Sequence, residues 1–177
     1  MTPYMTAVMN LDGRDGMSLP CAPPPVVSHE KKLCYLQPMA KAGYSGTPLE
    51  KKLGIRAGYQ IRLIGVPRHY FELFDDFPRD VKLLTGSKGE KDFIHVFVTN
   101  VSDFRAGLAG WRKELAPAGM LWISWPKKAS GVQTDLTEDI IRAEALKTDL
   151  VDVKVCAVDE IWSGLKLVIR VEKRKHG

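Results

Sequence analysis

Two lysines and a run of small polar residues stand between an apolar segment and a helix start in Trp125-Pro126-Lys127-Lys128-Ala129-Ser130-Gly131-Val132-Gln133-Thr134-Asp135. Lys127 and Lys128 supply positive charge, Ser130 and Thr134 supply hydroxyl donors, and a helix N-terminus adds free N–H groups, a combination able to hold an anion. Asp135, Glu138 and Asp139 oppose this, because carboxylates at a helix start satisfy its dipole and repel phosphate. The lysines could instead pair with Asp159 and Glu160, or form a solvated turn.

Other chemistry-bearing residues are few. Asp159 and Glu160 lie beside Trp162, where a carboxylate could act as a general base or binding contact; adjacent acids also serve simply as turn residues. His69 can exchange a proton near neutral pH, whereas His95, inside an apolar run, reads as a packed, hydrogen-bonded core residue. No Ser/His/Asp order and no metal-ligand spacing is present. Cys21, Cys34 and Cys156 fit neither a disulfide framework nor a CxxC site, so reduced thiols are expected. The four tryptophans fall mainly on apolar periodic positions and read as core or rim packing rather than a base-stacking platform.

These residues need elements to position them. The 177-residue chain fits one domain; 45% hydrophobic and 27% charged residues predict a soluble globular body, and no apolar run suits a membrane span. Residues 1–40, rich in Pro, Met and Gly, show no structural period and read as a disordered leader or a mis-assigned start, with Met39 an alternative beginning. No secretory signal is visible, which makes a cytoplasmic location the default. The net charge of +5 gathers in 166–177, where Lys166, Arg170, Lys173, Arg174 and Lys175 face only Glu172. Residues 173–177 form a basic tail without interleaved aromatics, so nucleic-acid binding is disfavoured.

Thr47-Pro48 predicts a short helix ending at Gly54, followed by a strand from Tyr59 to Val66. A helical segment over 68–76 precedes a short apolar piece, 81–84. Phe93–Val98 is almost wholly apolar, which suits a strand buried on both faces. A helix capped at Asn100 or Ser102 runs to about Leu115, Pro117 and Gly119 stop it, and Met120–Trp125 forms another strand. Asp135 and Glu138 have capping-box spacing and open a helix to about Lys147. Val151–Val158 and Leu165–Val171 form a closing antiparallel hairpin. The pattern predicts a three-layer α/β sandwich over 41–172, with a mostly parallel sheet of about six strands.

LEKKLGIRAGYQIRLIGVP, WRKELAPAGMLWISWP and the closing hairpin resemble the Rossmann-like fold of S-adenosylmethionine-dependent methyltransferases. The resemblance implies a leading helix feeding the first strand and a sheet ending with an antiparallel strand. Two departures concern activity: a single glycine, Gly65, stands in the first loop, and Leu83-Leu84-Thr85-Gly86 offers no carboxylate for ribose hydroxyls. From Ala42 onward, GYSGTPLEKKLGI, WPKKASG, TDLTED, LVDVKVCAVDE and WSGLKLV are similar to a bacterial domain-of-unknown-function family, DUF three-zero-five-two, which implies the same fold and supplies no activity.

Ligands of an open parallel sheet collect at the carboxyl ends of its strands. That rim should gather Gly65, Arg68 and His69, the segment Thr99–Asp103, Lys127, Lys128, Ser130 and Thr134, and Asp159, Glu160 and Trp162, with Tyr44, Ser45 and Thr47 arriving from the leading helix. The expected function is a Rossmann-like module binding a small anionic ligand or a protein partner at this rim, without intact methyltransferase motifs. The alternative is a divergent S-adenosylmethionine-dependent methyltransferase. No cofactor is specified by the residues alone.

Overall fold

The computed structural model describes residues 46–174. Tyr44, Ser45, the leader and the end of the basic tail lie outside the described residues. In chain order these contain α1 (Leu49–Leu53), β1 (Gln60–Ile64), a 3-10 turn (Tyr70–Leu73), β2 (Lys82–Leu83), β3 (Lys91–Phe97), α2 (Val101–Glu114), β4 (Leu115–Pro126), a 3-10 turn (Lys128–Ser130), α3 (Glu138–Leu146), β5 (Leu150–Ala157), β6 (Trp162–Ile169) and a last 3-10 turn (Val171–Lys173). The six strands form one mixed sheet in the order β2-β1-β3-β4-β6-β5. β1 pairs in parallel with β2 and β3, and β3 with β4. β6 runs antiparallel to both neighbours, β4 and β5. The closing hairpin therefore inserts the last strand inside the sheet and leaves β5 at the edge. The fold is an α/β Rossmann-like sandwich, as the alternation of strands and helices predicts.

Two apolar clusters sandwich the sheet. One packs Ile94, Val96, Leu121, Ile123, Leu165 and Leu167 against Phe104 and Leu108 of α2 and Ile141 and Ala145 of α3. The other gathers Ile61, Phe93, Phe97 and Trp122 under Leu53 of α1 and Tyr70 of the first 3-10 turn. β3 contributes to both, which is why its apolar residues from Phe93 onward do not alternate with exposed ones. Trp122 is wholly buried, and its indole N–H donates to the Leu53 carbonyl at 3.0 Å, tying α1 to the sheet.

Three local expectations are corrected. Asp135 does not cap α3; Thr137 does, accepting from the Ile140 N–H, while the Asp135 carboxylate accepts from Val101 N–H at the start of α2. The predicted helix over 68–76 is one 3-10 turn. β4 begins at Leu115, directly after α2, because Pro117 and Gly119 end the helix without ending the extended chain. Gly54 closes α1 at φ 79°, the left-handed conformation expected of a glycine in that place.

Candidate functional site

From β1 the chain leads outward to β2, then returns to β3 on the other side of β1. Where neighbouring strands send their connections in opposite directions, a crevice opens at their carboxyl ends. A cavity of about 450 Å³ lies there. Ile64 and Gly65 form its β1 side, Val96, Phe97, Val98 and Thr99 its β3 side, and Asp103, Trp111 and Trp162 complete it. Asp103 is the one ionisable group among the described residues lining it. The Trp162 and Phe97 rings meet edge to face, with centroids 5.0 Å apart.

The adjoining start of α2 is already occupied. Asn100 Oδ1 accepts from Asp103 N–H at 2.8 Å, and the Asn100 amide donates back to the Asp103 carboxylate at 2.8 Å. With Asp135 on Val101 N–H at 2.8 Å, this helix end has little capacity for an external anion.

Gly65 shapes the β1 wall. Its φ is 64°, and a Cβ there would stand 2.5 Å from the Phe97 carbonyl oxygen. Gly65→Ala must therefore push the ends of β1 and β3 apart as well as adopt a disfavoured backbone conformation. A loss of about 1–3 kcal/mol in denaturant unfolding is expected; an unchanged midpoint would mean that the strand ends are not held this closely.

The Lys127–Thr134 loop is hydrogen-bonded inward. Lys127 Nζ donates to the Asp159 carbonyl at 2.6 Å rather than to its carboxylate. Ser130 Oγ donates to the Lys127 carbonyl at 2.7 Å, and Thr134 Oγ1 donates to the Thr99 carbonyl at 2.6 Å while accepting from Leu136 N–H. Both hydroxyl hydrogens are thus committed to carbonyls. Lys128 is exposed and has no hydrogen-bond or ion-pair partner among the described residues, as is also true of Thr47, Arg68 and Glu160.

Asp159 and His69, 90 residues apart, meet at the rim. Asp159 Oδ1 accepts from Ile161 and Trp162 N–H at 2.8 and 2.6 Å, which fixes the carboxyl group and aims Oδ2 at His69 Nε2, 3.3 Å away. A carboxylate only accepts, so Nε2 carries a proton, and in the neutral ring the lone pair then lies on Nδ1.

A third polar group, buried behind the rim, links the 3-10 turn after β1 to β3 and β4. His95 Nδ1 lies 3.0 Å from Tyr70 Oη and Nε2 lies 2.8 Å from Ser124 Oγ. Burial lowers the His95 pKa to about 3 and pushes the Tyr70 phenol up. Sequence reasoning placed His95 in the core but missed Tyr70 and Ser124, whose partnership depends on strand pairing. Thr99 and Asp103 line the cleft from the segment expected at the rim, whereas Trp111 reads by its period as part of the apolar side of α2 and gives no sequence signal for the cleft.

No family model and no curated protein matches the chain. Solved structures similar to it include a putative methyltransferase from Thermoplasma acidophilum (8% identity, 69% of this chain and 72% of that one, TM-score 0.46) and an S-adenosylmethionine-dependent methyltransferase from Aquifex aeolicus (12%, 68% and 87%, 0.49). A third is the glycopeptide N-methyltransferase MtfA complexed with S-adenosyl-L-homocysteine (10%, 78% and 95%, 0.47). Among the described residues no His/Cys/Asp/Glu group is arranged to hold a metal, and no helix is long and apolar enough to cross a membrane.

Proposed function

We propose that this chain is a divergent methyltransferase-type module whose cleft between the carboxyl ends of β1 and β3 takes S-adenosylmethionine or its demethylated product. The observation that carries this is the composition of that cleft: aromatic and aliphatic walls, one carboxylate and no cation among the lining residues. Flat rings and cationic groups are favoured by such a lining, and phosphate is not. A small anionic ligand at Lys127–Thr134 has less support, because Lys127, Ser130 and Thr134 are engaged internally. The missing carboxylate after β2 departs from the usual ribose contact and makes the binding mode a divergent one. The resemblance to the DUF three-zero-five-two family, read from the sequence and matched by no family model, adds no activity to this reading.

The bound cofactor supplies an electrophilic methyl group. A methyl acceptor must also lose a proton, and in this reading it passes to His69 Nδ1, which stands at the same rim. Asp159 is then a positioning residue: it holds the Nε2–H tautomer, and its backbone hydrogen bonds keep it from turning away.

Thermal denaturation of the full chain tests the ligand class. S-adenosylmethionine and S-adenosylhomocysteine at a hundredfold excess over Kd should each stabilise by about 2.7 kcal/mol, raising the melting temperature by about 5–10 °C. Phosphate and pyrophosphate should not reproduce this shift. A shift with pyrophosphate and none with either adenosyl compound would move the reading back to the anionic ligand.

A further inference from the structure

The arginines beside α2 and α3 are paired: Arg62 with Glu114, Arg105 with Glu144, Arg112 with Asp149, and Arg142 with Glu138 and Asp152. A different arrangement stands on the opposite face. Lys154 of β5 and Lys166 of β6 are direct cross-strand partners, an arrangement in which like charges repel. Lys166 also pairs in register with Trp122, whose buried ring belongs to the α1 side of the sheet. Lys154 Nζ donates to the Lys52 carbonyl in the last turn of α1 at 3.1 Å, and the charges of Lys154 and Lys52 both act on Cys156 of β5, which places a third cation in the group. Arg56 follows two residues after the α1 cap. Burial lowers the Lys166 pKa, with Lys154 and Arg56 adding to the effect. Lys52, Arg56, Lys154 and Lys166 have no carboxylate partner among the described residues.

Bringing four cations together without a counter-charge costs stability, whereas a ligand with several negative charges would offset that cost. We propose that this cluster is a second site, separate from the cleft, that binds a ligand carrying two or more phosphate groups. Lysine ammonium groups suit phosphate as point charges, and Lys154 retains donors beyond the one given to the Lys52 carbonyl. A phosphodiester backbone and a free polyphosphate share this chemistry.

Fluorescence anisotropy of the full chain with a labelled single-stranded 12-mer RNA, alongside calorimetric titration with tripolyphosphate, separates the two sources. At least one probe should bind at about 50 mM salt and weaken tenfold or more by 200 mM, as phosphate neutralisation requires. Tripolyphosphate binding alone would identify a compact ligand; RNA binding that strengthens with oligomer length would identify the phosphodiester backbone. Lys154→Glu places opposite charges across the strand pair, so it should raise the melting temperature by about 1–3 °C while weakening either probe at least tenfold. Lys154→Arg should retain binding. The proposal fails if neither probe binds the wild type, or if Lys154→Glu binds as tightly as the wild type. An adenosyl-ligand shift in the cleft should survive Lys154→Glu, so failure of this site and failure of the cleft are told apart.

Discussion

Glu114→Ala is expected to cost about 3–5 kcal/mol in chemical denaturation, because it strips a buried ammonium of its counter-charge. Lys91, at the start of β3, is 0% exposed, and its ammonium donates to the carbonyls of Lys88 and Gly89 at 2.8 and 2.9 Å. The Glu114 carboxylate, at the end of α2, lies 3.3 Å from it and also receives the Arg62 guanidinium from β1. This group therefore joins three elements and holds the turn into β3. Arg62 retains 20% exposure and can turn to water when Glu114 is lost; Lys91 cannot. The double substitution Lys91→Met with Glu114→Leu should recover most of the loss, since replacing a buried pair with apolar groups is commonly neutral or stabilising. A cost under about 1 kcal/mol for Glu114→Ala would mean that Lys91 reaches solvent.

Acid should destabilise the fold well above the usual carboxylate range. His95 is held neutral by burial, with its pKa lowered to about 3, while the unfolded chain protonates it near 6.5. A depressed folded pKa gives a contribution that is fully present above pH 6.5 and lost as pH falls toward 3. Between those limits the unfolded state binds one more proton, and stability should drop by about 1.4 kcal/mol per pH unit from this group. Glu144 and Asp149, whose pKa values are lowered mainly by hydrogen bonds from Lys147 and Arg112 respectively, lose their contributions at lower pH. Urea unfolding at pH 7, 6 and 5 isolates the histidine effect. His95→Gln, which can still hydrogen-bond Tyr70 and Ser124, should flatten the slope across this interval; an equally steep slope in the variant would assign the dependence to another group.

The fold was legible where residue pattern and burial coincide. β3 is apolar on both faces because it feeds both clusters, and Gly54 marks the end of α1 in sequence and structure alike. Asp135 shows the limit of spacing: it satisfies the capping-box pattern with Glu138, yet its carboxylate serves Val101, 34 residues earlier, across the rim. The presence of His69 and Asp159 on one rim could be anticipated from strand direction, but their pairing could not, since Lys127 and Lys128 read as the partners of Asp159. The cleft could not, because its position depends on which strands are neighbours. Asp103 falls in a segment expected at the rim, but Trp111 reads locally as a core residue and Phe97 as one of many apolar strand residues. Lys91 and Lys166 look like ordinary surface lysines until pairing shows one buried beside Glu114 and the other facing Lys154.

Trp111 and Trp162 line the cleft, where the proposed ligand would lie between them, while Trp122 is sealed against α1. The indole N–H resonances of the full chain, assigned by single Trp→Phe substitutions and followed by two-dimensional nitrogen–proton NMR during titration with S-adenosylhomocysteine, test this directly. The predicted result is a saturable shift of the Trp111 and Trp162 signals with the Trp122 signal unmoved. Unshifted Trp111 and Trp162 signals at saturating ligand, together with phosphate-induced shifts confined to residues 127–134, would contradict it and return the functional site to the lysine loop.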